Sequence, residues 1–136
     1  MKTLLYAAIF RRPRSYEVCM FMVGEKWRFL RTEASDSEAD SNCLRLRLDY
    51  LTEQDLMQDN SKPILYDFAY INDIQGTNVI ARVFSAKLKG EIRTPTTRLN
   101  QIAWTCKPED YQISPIEQKI AALLRNERYL PALSNG

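Results

Sequence analysis

The sequence predicts a mixed β-sheet flanked by helices, an α/β fold of the α+β kind, as one domain over residues 1–136. Three observations carry this. Apolar runs of strand length, rich in β-branched and aromatic residues, alternate with turn signals. Two helix-forming segments, each preceded by capping residues, interrupt them. The resulting order is β-β-β-α-β-β-β-α, with no repeat, linker or low-complexity stretch.

Thr3 to Phe10 is apolar throughout and reads as a strand. It superficially resembles the apolar core of a signal peptide, but Arg11, Arg12 and Arg14 follow at once without a small-residue cleavage site. Pro13 stops the strand inside this basic loop. Tyr16 to Val23 is nearly continuously apolar, as in a strand buried on both faces. Gly24-Glu25 forms a turn, and Lys26 to Leu30 returns as the second arm of a hairpin, with Trp27 and Phe29 on one side.

The segment SDSEADSNCLRLRLDYLTEQDL, Ser35 to Leu56, predicts a helix. Ser35 and Glu38 have capping-box spacing, and acidic residues crowd the first turn, where the helix dipole favours them. Cys43, Leu44, Leu48 and Leu51 share one helical face. Leu44, Leu46, Leu48 and Tyr50 also alternate as a strand would. The helix reading leads because Leu and Arg are good helix formers and no β-branched residue occurs from Ser35 to Leu51. Ile64–Ile71 and Asn78–Leu88 read as strands joined by the turn-rich NDIQGTN, and Lys89-Gly90-Glu91 as a turn. Gln101–Cys106 reads as a short strand. Ser114-Pro115-Ile116-Glu117 is a second capping box with proline at the first helical position. Ile116, Ile120, Leu123 and Leu124 continue it as an apolar stripe. Pro131 ends the helix region, and residues 130–136 read as a frayed tail.

The chain has 136 residues, 26 % of them charged, and a formal charge of +2. That balance gives no bulk attraction for nucleic acid, so nucleic acid is not an expected partner. No apolar run approaches the about 20 residues of a membrane-spanning helix. The complete lack of histidine removes Ser–His and Cys–His catalysis and His-based zinc sites. Cys19, Cys43 and Cys106 are scattered through apolar runs, which predicts buried, reduced thiols in a cytoplasmic protein.

Several landmarks, taken in order, resemble the Nudix hydrolase superfamily. They are Trp27-Arg28-Phe29, the strand Val79 to Glu91 ending in Gly-Glu, Gln101 to Trp104, and the amphipathic helix Ile116 to Leu124. The resemblance covers essentially the whole chain. It implies an α/β/α sandwich that cleaves nucleoside diphosphates linked to another group with a divalent metal, and it makes a homodimer plausible.

The family's signature places a glycine, five residues, a glutamate, seven residues, and then an Arg-Glu-aliphatic-x-Glu-Glu-x-Gly-aliphatic run. Aligned from Trp27, this chain has Thr32 for the glycine and Glu38 for the first glutamate. Leu46 and Arg47 replace the Arg-Glu, and Leu48 keeps the aliphatic position. Tyr50 and Leu51 replace the metal-binding Glu-Glu, and Glu53 and Gln54 close the run. No glutamate lies between Ser41 and Thr52, so no shift of register restores the pair. Magnesium takes hard oxygen ligands, chiefly carboxylates, phosphates and water. A cation, a leucine and a tyrosine do not supply them.

The resemblance therefore implies a degenerate box, no catalytic residues and no cofactor. The expected role is binding of a nucleotide-like phosphorylated ligand or a protein partner through the former cleft. Arg47, Tyr50 and Glu38 are the expected ligand contacts, Arg47 as a phosphate partner or as a structural partner of Glu38. Two alternatives stand beside this. One is a divergent pyrophosphohydrolase holding Mg²⁺ or Mn²⁺ on Glu38, Asp49 and Glu53, or on a later acid such as Glu109 or Asp110. The other is a structural homo-oligomer without ligand. The acidic cluster of Glu33, Asp36, Glu38 and Asp40 and the strand aromatics Tyr6, Tyr66, Phe68, Tyr70 and Phe84 read as solvated and core residues respectively.

Overall fold

The computed structural model describes residues 1–12, 15–54 and 62–133. Strands β1 (Lys2–Phe10), β2 (Val18–Val23), β3 (Lys26–Arg28) and β4 (Leu30–Glu33) precede helix α1 (Asp40–Leu51). Strands β5 (Ile64–Gln75), β6 (Val79–Lys89) and β7 (Gln101–Thr105) follow. A 3-10 turn (Pro108–Tyr111) then leads to helix α2 (Pro115–Asn126).

The strands form one mixed sheet, ordered β3-β2-β1-β6-β5, with β4 on β1 and β7 on β2. The β1–β6 pair is parallel and runs without a break from Lys2 opposite Val79 to Phe10 opposite Lys87. The other pairs are antiparallel. Because side chains alternate along a strand, β1 feeds two cores. Leu5, Ala7 and Ile9 pack with Cys43, Leu44, Leu48 and Leu51 of α1. Tyr6 and Ala8 pack with Ala81 and Val83 of β6 and with Ile120, Ala121 and Leu124 of α2. The helices thus lie on opposite faces, and this is why β1 is apolar at every position from Leu4 to Phe10.

The helix reading of the central segment holds from Asp40 to Leu51. Leu46, which a strand would align with Leu44 and Leu48, is 60 % exposed, whereas those two are buried. Its start differs from expectation. The Ncap is Ala39, without a side-chain cap, because Ser35 accepts instead from the Ser37 N–H in a local turn. Glu38 accepts from the Asn42 side chain at 2.7 Å. Short polar residues divert the backbone into such turns and delay the helix. At the other end, residues 55 and 56 lie outside the described range.

Three further boundaries move. Lys26–Leu30 is not one strand, because the Phe29 N–H donates to Glu117 Oε2 at 2.7 Å instead of to a neighbouring strand. The chain restarts as β4, a strand the sequence did not announce. β5 extends to Gln75, with ladder irregularities between Tyr66 and Ala69 and between Tyr70 and Asn72. The turn into β6 is only Gly76 to Asn78, closed by Gly76 N–H donating to the Val79 carbonyl. A Cβ on Gly76 would lie 2.7 Å from Val79 Cγ2 and 3.0 Å from Ile116 Cδ1, so this close approach requires glycine.

The serine half of the second capping box forms, while the Glu117 carboxylate takes the Ser114 hydroxyl in place of the Ser114 N–H. Ser114 Oγ accepts from the Glu117 N–H and donates to Glu117 Oε1. At the start of the expected frayed tail, Leu130 is held in place. Leu130 is buried and its N–H donates to the Leu124 carbonyl. Residues 134–136 lie outside the described range. Among the described residues no helix is long and apolar enough to cross a membrane.

Candidate functional site

A cleft of about 330 Å³ opens at the N-terminal end of β1, bounded by Lys2, Leu4, Arg31, Thr32, Arg47 and Val79. Its composition follows from strand register. β4 pairs antiparallel with β1, with Arg31 opposite Tyr6 and Glu33 opposite Leu4. Arg31 and Glu33 therefore stand on the α2 face. Arg47 reaches the cleft from α1, which packs beside β4. Its guanidinium lies 5.2 Å from the centre of the Tyr50 ring. Arg98 approaches the same ring at 4.1 Å and donates to the Tyr50 carbonyl.

Positive charge accumulates here. Burial lowers the Arg28 pKa, and the neighbouring charges of Arg31 and Arg47 lower it further, against an opposing pull from Glu117. Beneath them, Glu117 is buried, with its oxygens committed to Phe29 N–H and the Ser114 hydroxyl. The Tyr6 hydroxyl is buried without a hydrogen-bond partner among the described residues. Burial raises its pKa and Glu117 adds to the rise, while Arg31 opposes it. Of the acids at the rim, Glu33 is paired with Lys2. The cleft therefore presents guanidinium groups in excess of carboxylates, an arrangement that suits an anion.

The residues singled out in the sequence do not all meet. Arg47 lines the cleft and Tyr50 lies beside it. Glu38 is exposed and bonded to Asn42. Asp49 pairs with Lys62 at 3.4 Å, beside a separate small cavity formed with Arg45 and Pro63. Glu53 adopts a φ of 61° and accepts from the Thr97 N–H at 2.6 Å and from the Thr97 hydroxyl. It holds the loop before β7. Glu109 receives two hydrogen bonds from Arg125, at 2.6 and 2.7 Å. Burial pushes the Glu109 carboxyl up, but these bonds and the Arg125 charge bring it below its ordinary pKa. Asp110 is exposed in the adjacent turn.

This donor set does not fit a divalent metal at the α1 end of the cleft. Arg47 brings a charge of the wrong sign, Leu51 points into the core, and Tyr50 is neutral. No group of three or more Cys, Asp or Glu residues capable of holding a metal occurs among the described residues.

Sequence reasoning missed Lys2, Arg28 and Arg31. KWRFLR alone did not show the cluster, because alternation puts residues three apart on opposite faces, and only the break between β3 and β4 changes how Arg28 and Arg31 are placed. The basic loop behaves otherwise. Arg11 lies 5.7 Å from the Trp104 ring, and Arg14 falls outside the described residues. Of the strand aromatics, Tyr6 is core, Phe84 stacks edgewise with Tyr70, and Tyr66 and Tyr70 are exposed. Cys19 and Cys43 are buried, but Cys106 is exposed, contrary to expectation, because it follows the end of β7. Burial pushes the Cys19 thiol pKa up.

No family sequence model matches the chain, and no curated protein sequence does. Solved structures do. A Nudix hydrolase from Nitrosomonas europaea superposes with a TM-score of 0.67 at 9 % identity, covering 99 % of this chain and 97 % of its own. An ADP-ribose pyrophosphatase from Streptococcus suis gives 0.62 at 10 % identity, over 98 % and 96 %. The C-terminal domain of mouse MUTYH, taken from its complex with human PCNA, gives 0.64 at 10 % identity, over 98 % and 94 %. The chain has the Nudix fold.

Proposed function

We propose that this Nudix-fold chain binds the phosphate groups of a nucleotide-like ligand in the cleft between β1, β4 and α1, without metal and without hydrolysing it. The observation that carries this reading is that Arg31 and Arg47 line one cleft together with Lys2, with Arg28 near enough for their charges to lower its pKa. Neighbouring guanidinium groups raise one another's electrostatic energy, and a bound phosphate or pyrophosphate relieves it. Guanidinium forks supply the neutralisation that a divalent ion supplies in a carboxylate site. They do not generate a metal-bound hydroxide, so binding does not lead to hydrolysis by that route.

The test is a melting and calorimetry series with pyrophosphate, ADP, ATP and ADP-ribose, in EDTA and then in Mg²⁺. A ligand at about 100 times its Kd adds roughly 2.7 kcal/mol of stability, a shift of several degrees for a chain of this size. The expected result is a shift that persists in EDTA, falls when Arg47 is changed to glutamate, and comes without phosphate release. A shift that requires Mg²⁺ and is accompanied by turnover overturns the reading in favour of a divergent pyrophosphohydrolase.

A second reading is a docking domain for a protein partner. It rests on the exposed Leu46 and Tyr50 on the outer face of α1 and on the likeness to a domain crystallised with a protein partner. It predicts no shift with any nucleotide and a binding defect in Leu46→Asp.

A further inference from the structure

A second cavity, of about 320 Å³, lies at the opposite end of β1 from the arginine cleft, roughly 20 Å away along the strand. Its walls are largely apolar and aromatic. Phe10 at the end of β1 and Tyr129 after α2 stack with centroids 5.7 Å apart and planes 26° from parallel. Tyr16 adds a half-exposed ring, and the small residues Ala69 and Ser85, paired across β5 and β6, leave the space beside them open. The rim is cationic. Arg12, Lys87 and Arg128 border it, but Lys87 is already paired with Asp67 at 2.7 Å. Arg12 and Arg128 make no ion pair with a described residue.

An independent feature marks the same place. Six non-glycine residues among those described have left-handed backbone, and three of them, Tyr16 (φ 57°), Asp67 (φ 54°) and Arg128 (φ 64°), border this cavity. Such conformations are uncommon for residues with a side chain. At Arg128 the cause is the turn that ends α2, with the Arg128 N–H donating to the Arg125 carbonyl and the Tyr129 N–H to the Leu124 carbonyl. At Asp67 the conformation accompanies the ladder irregularity of β5. Both turn the chain around the rim of the cavity. Cavities of about 300 Å³ or more that combine apolar walls with a few oriented polar groups are the usual form of small-molecule sites.

We propose that this cavity binds a planar aromatic molecule carrying one anionic group, independently of the arginine cleft. The ring lies against the Phe10–Tyr129 stack, in the offset or edge geometry that aromatic pairs favour. The anion meets Arg12 and Arg128. Asp67 neutralises Lys87, which leaves a cationic surplus suited to a single carboxylate, sulfonate or phosphate.

The experiment is an NMR titration of the full chain with 1-naphthoate, using 1-naphthylmethanol as the uncharged control. Saturable amide shifts at Ala69, Ala86, Lys87 and Tyr129 are expected, with naphthoate binding at least tenfold tighter than the alcohol. Ala69→Phe, which fills the cavity from the edge strand, should abolish the shifts. The double change Arg12→Glu and Arg128→Glu should weaken naphthoate at least tenfold while leaving the alcohol unchanged, a readout that survives if Ala69→Phe fails to fold. Arg47→Glu should have no effect. The proposal is overturned if the shifts do not saturate, if they persist undiminished in both cavity variants, or if the alcohol binds as tightly as naphthoate.

Discussion

Glu117 ties together two parts of the molecule that the chain keeps far apart. One of its oxygens takes the Ser114 hydroxyl at the start of α2 and the other takes the Phe29 N–H at the break between β3 and β4. A buried N–H deprived of its acceptor costs about 1–3 kcal/mol. Glu117→Ala should therefore lower stability by about 1–3 kcal/mol, with the Ser114 cap kept because it accepts from the backbone N–H of residue 117, and urea melts would measure this. Glu109 offers a pH test. Its folded pKa lies below its unfolded value, so the stability it adds is complete above the ordinary carboxylate range and is lost as pH falls through the folded pKa. Between pH 5 and pH 3, wild type should lose more stability than Glu109→Gln. Equal slopes would show that the Arg125 pair contributes nothing.

At the scale of the element, the two helices look alike in sequence and differ in how they begin. Both carry a serine followed three residues later by glutamate, but only Ser114 caps. Ser114→Ala should cost about 1 kcal/mol and Ser35→Ala close to nothing, as thermal melts of the two variants would show. Within α1, Leu48→Ala removes a core side chain and should cost about 2–5 kcal/mol. Leu46→Ala, on the solvent side, should stay within about 0.5 kcal/mol. The reverse ranking would mean that α1 had been placed in the wrong register.

For the molecule as a whole, periodicity and turn chemistry made most of the architecture legible. Apolar runs announced β1 as a strand and β2 as a strand buried on both faces, with Cys19 and Phe21 in one core and Val18 and Met20 in the other, and the stripe Ile116 to Leu124 announced the covering helix. What remained hidden depends on contacts between distant segments. No local rule says that the Phe29 N–H will prefer a carboxylate 88 positions away, and so β4 went unseen. The candidate site was half legible. Arg47 was found because it occupies a landmark position, whereas Arg28 and Arg31 acquire meaning only once β4 folds beside β1. Gly76 belongs only partly to the same class, since a side chain there would meet Val79, three positions on, first and Ile116 of α2 second. Gly76→Ala should lower the melting temperature by a few degrees, about 1 kcal/mol.

The parallel pairing of β1 with β6 also sets the order of events during synthesis. Residues 2–10 leave the ribosome well before the strand that accepts their backbone, which begins only at Val79. Until then the most apolar strand of the sheet lacks its longest partner, and non-local pairing of this kind is slow to form. Nascent chains stalled before residue 89 should therefore be held by chaperones or aggregate, whereas chains stalled after α2 should not. The time that β1 waits for β6 therefore matters to the yield of folded chain as much as its final packing does.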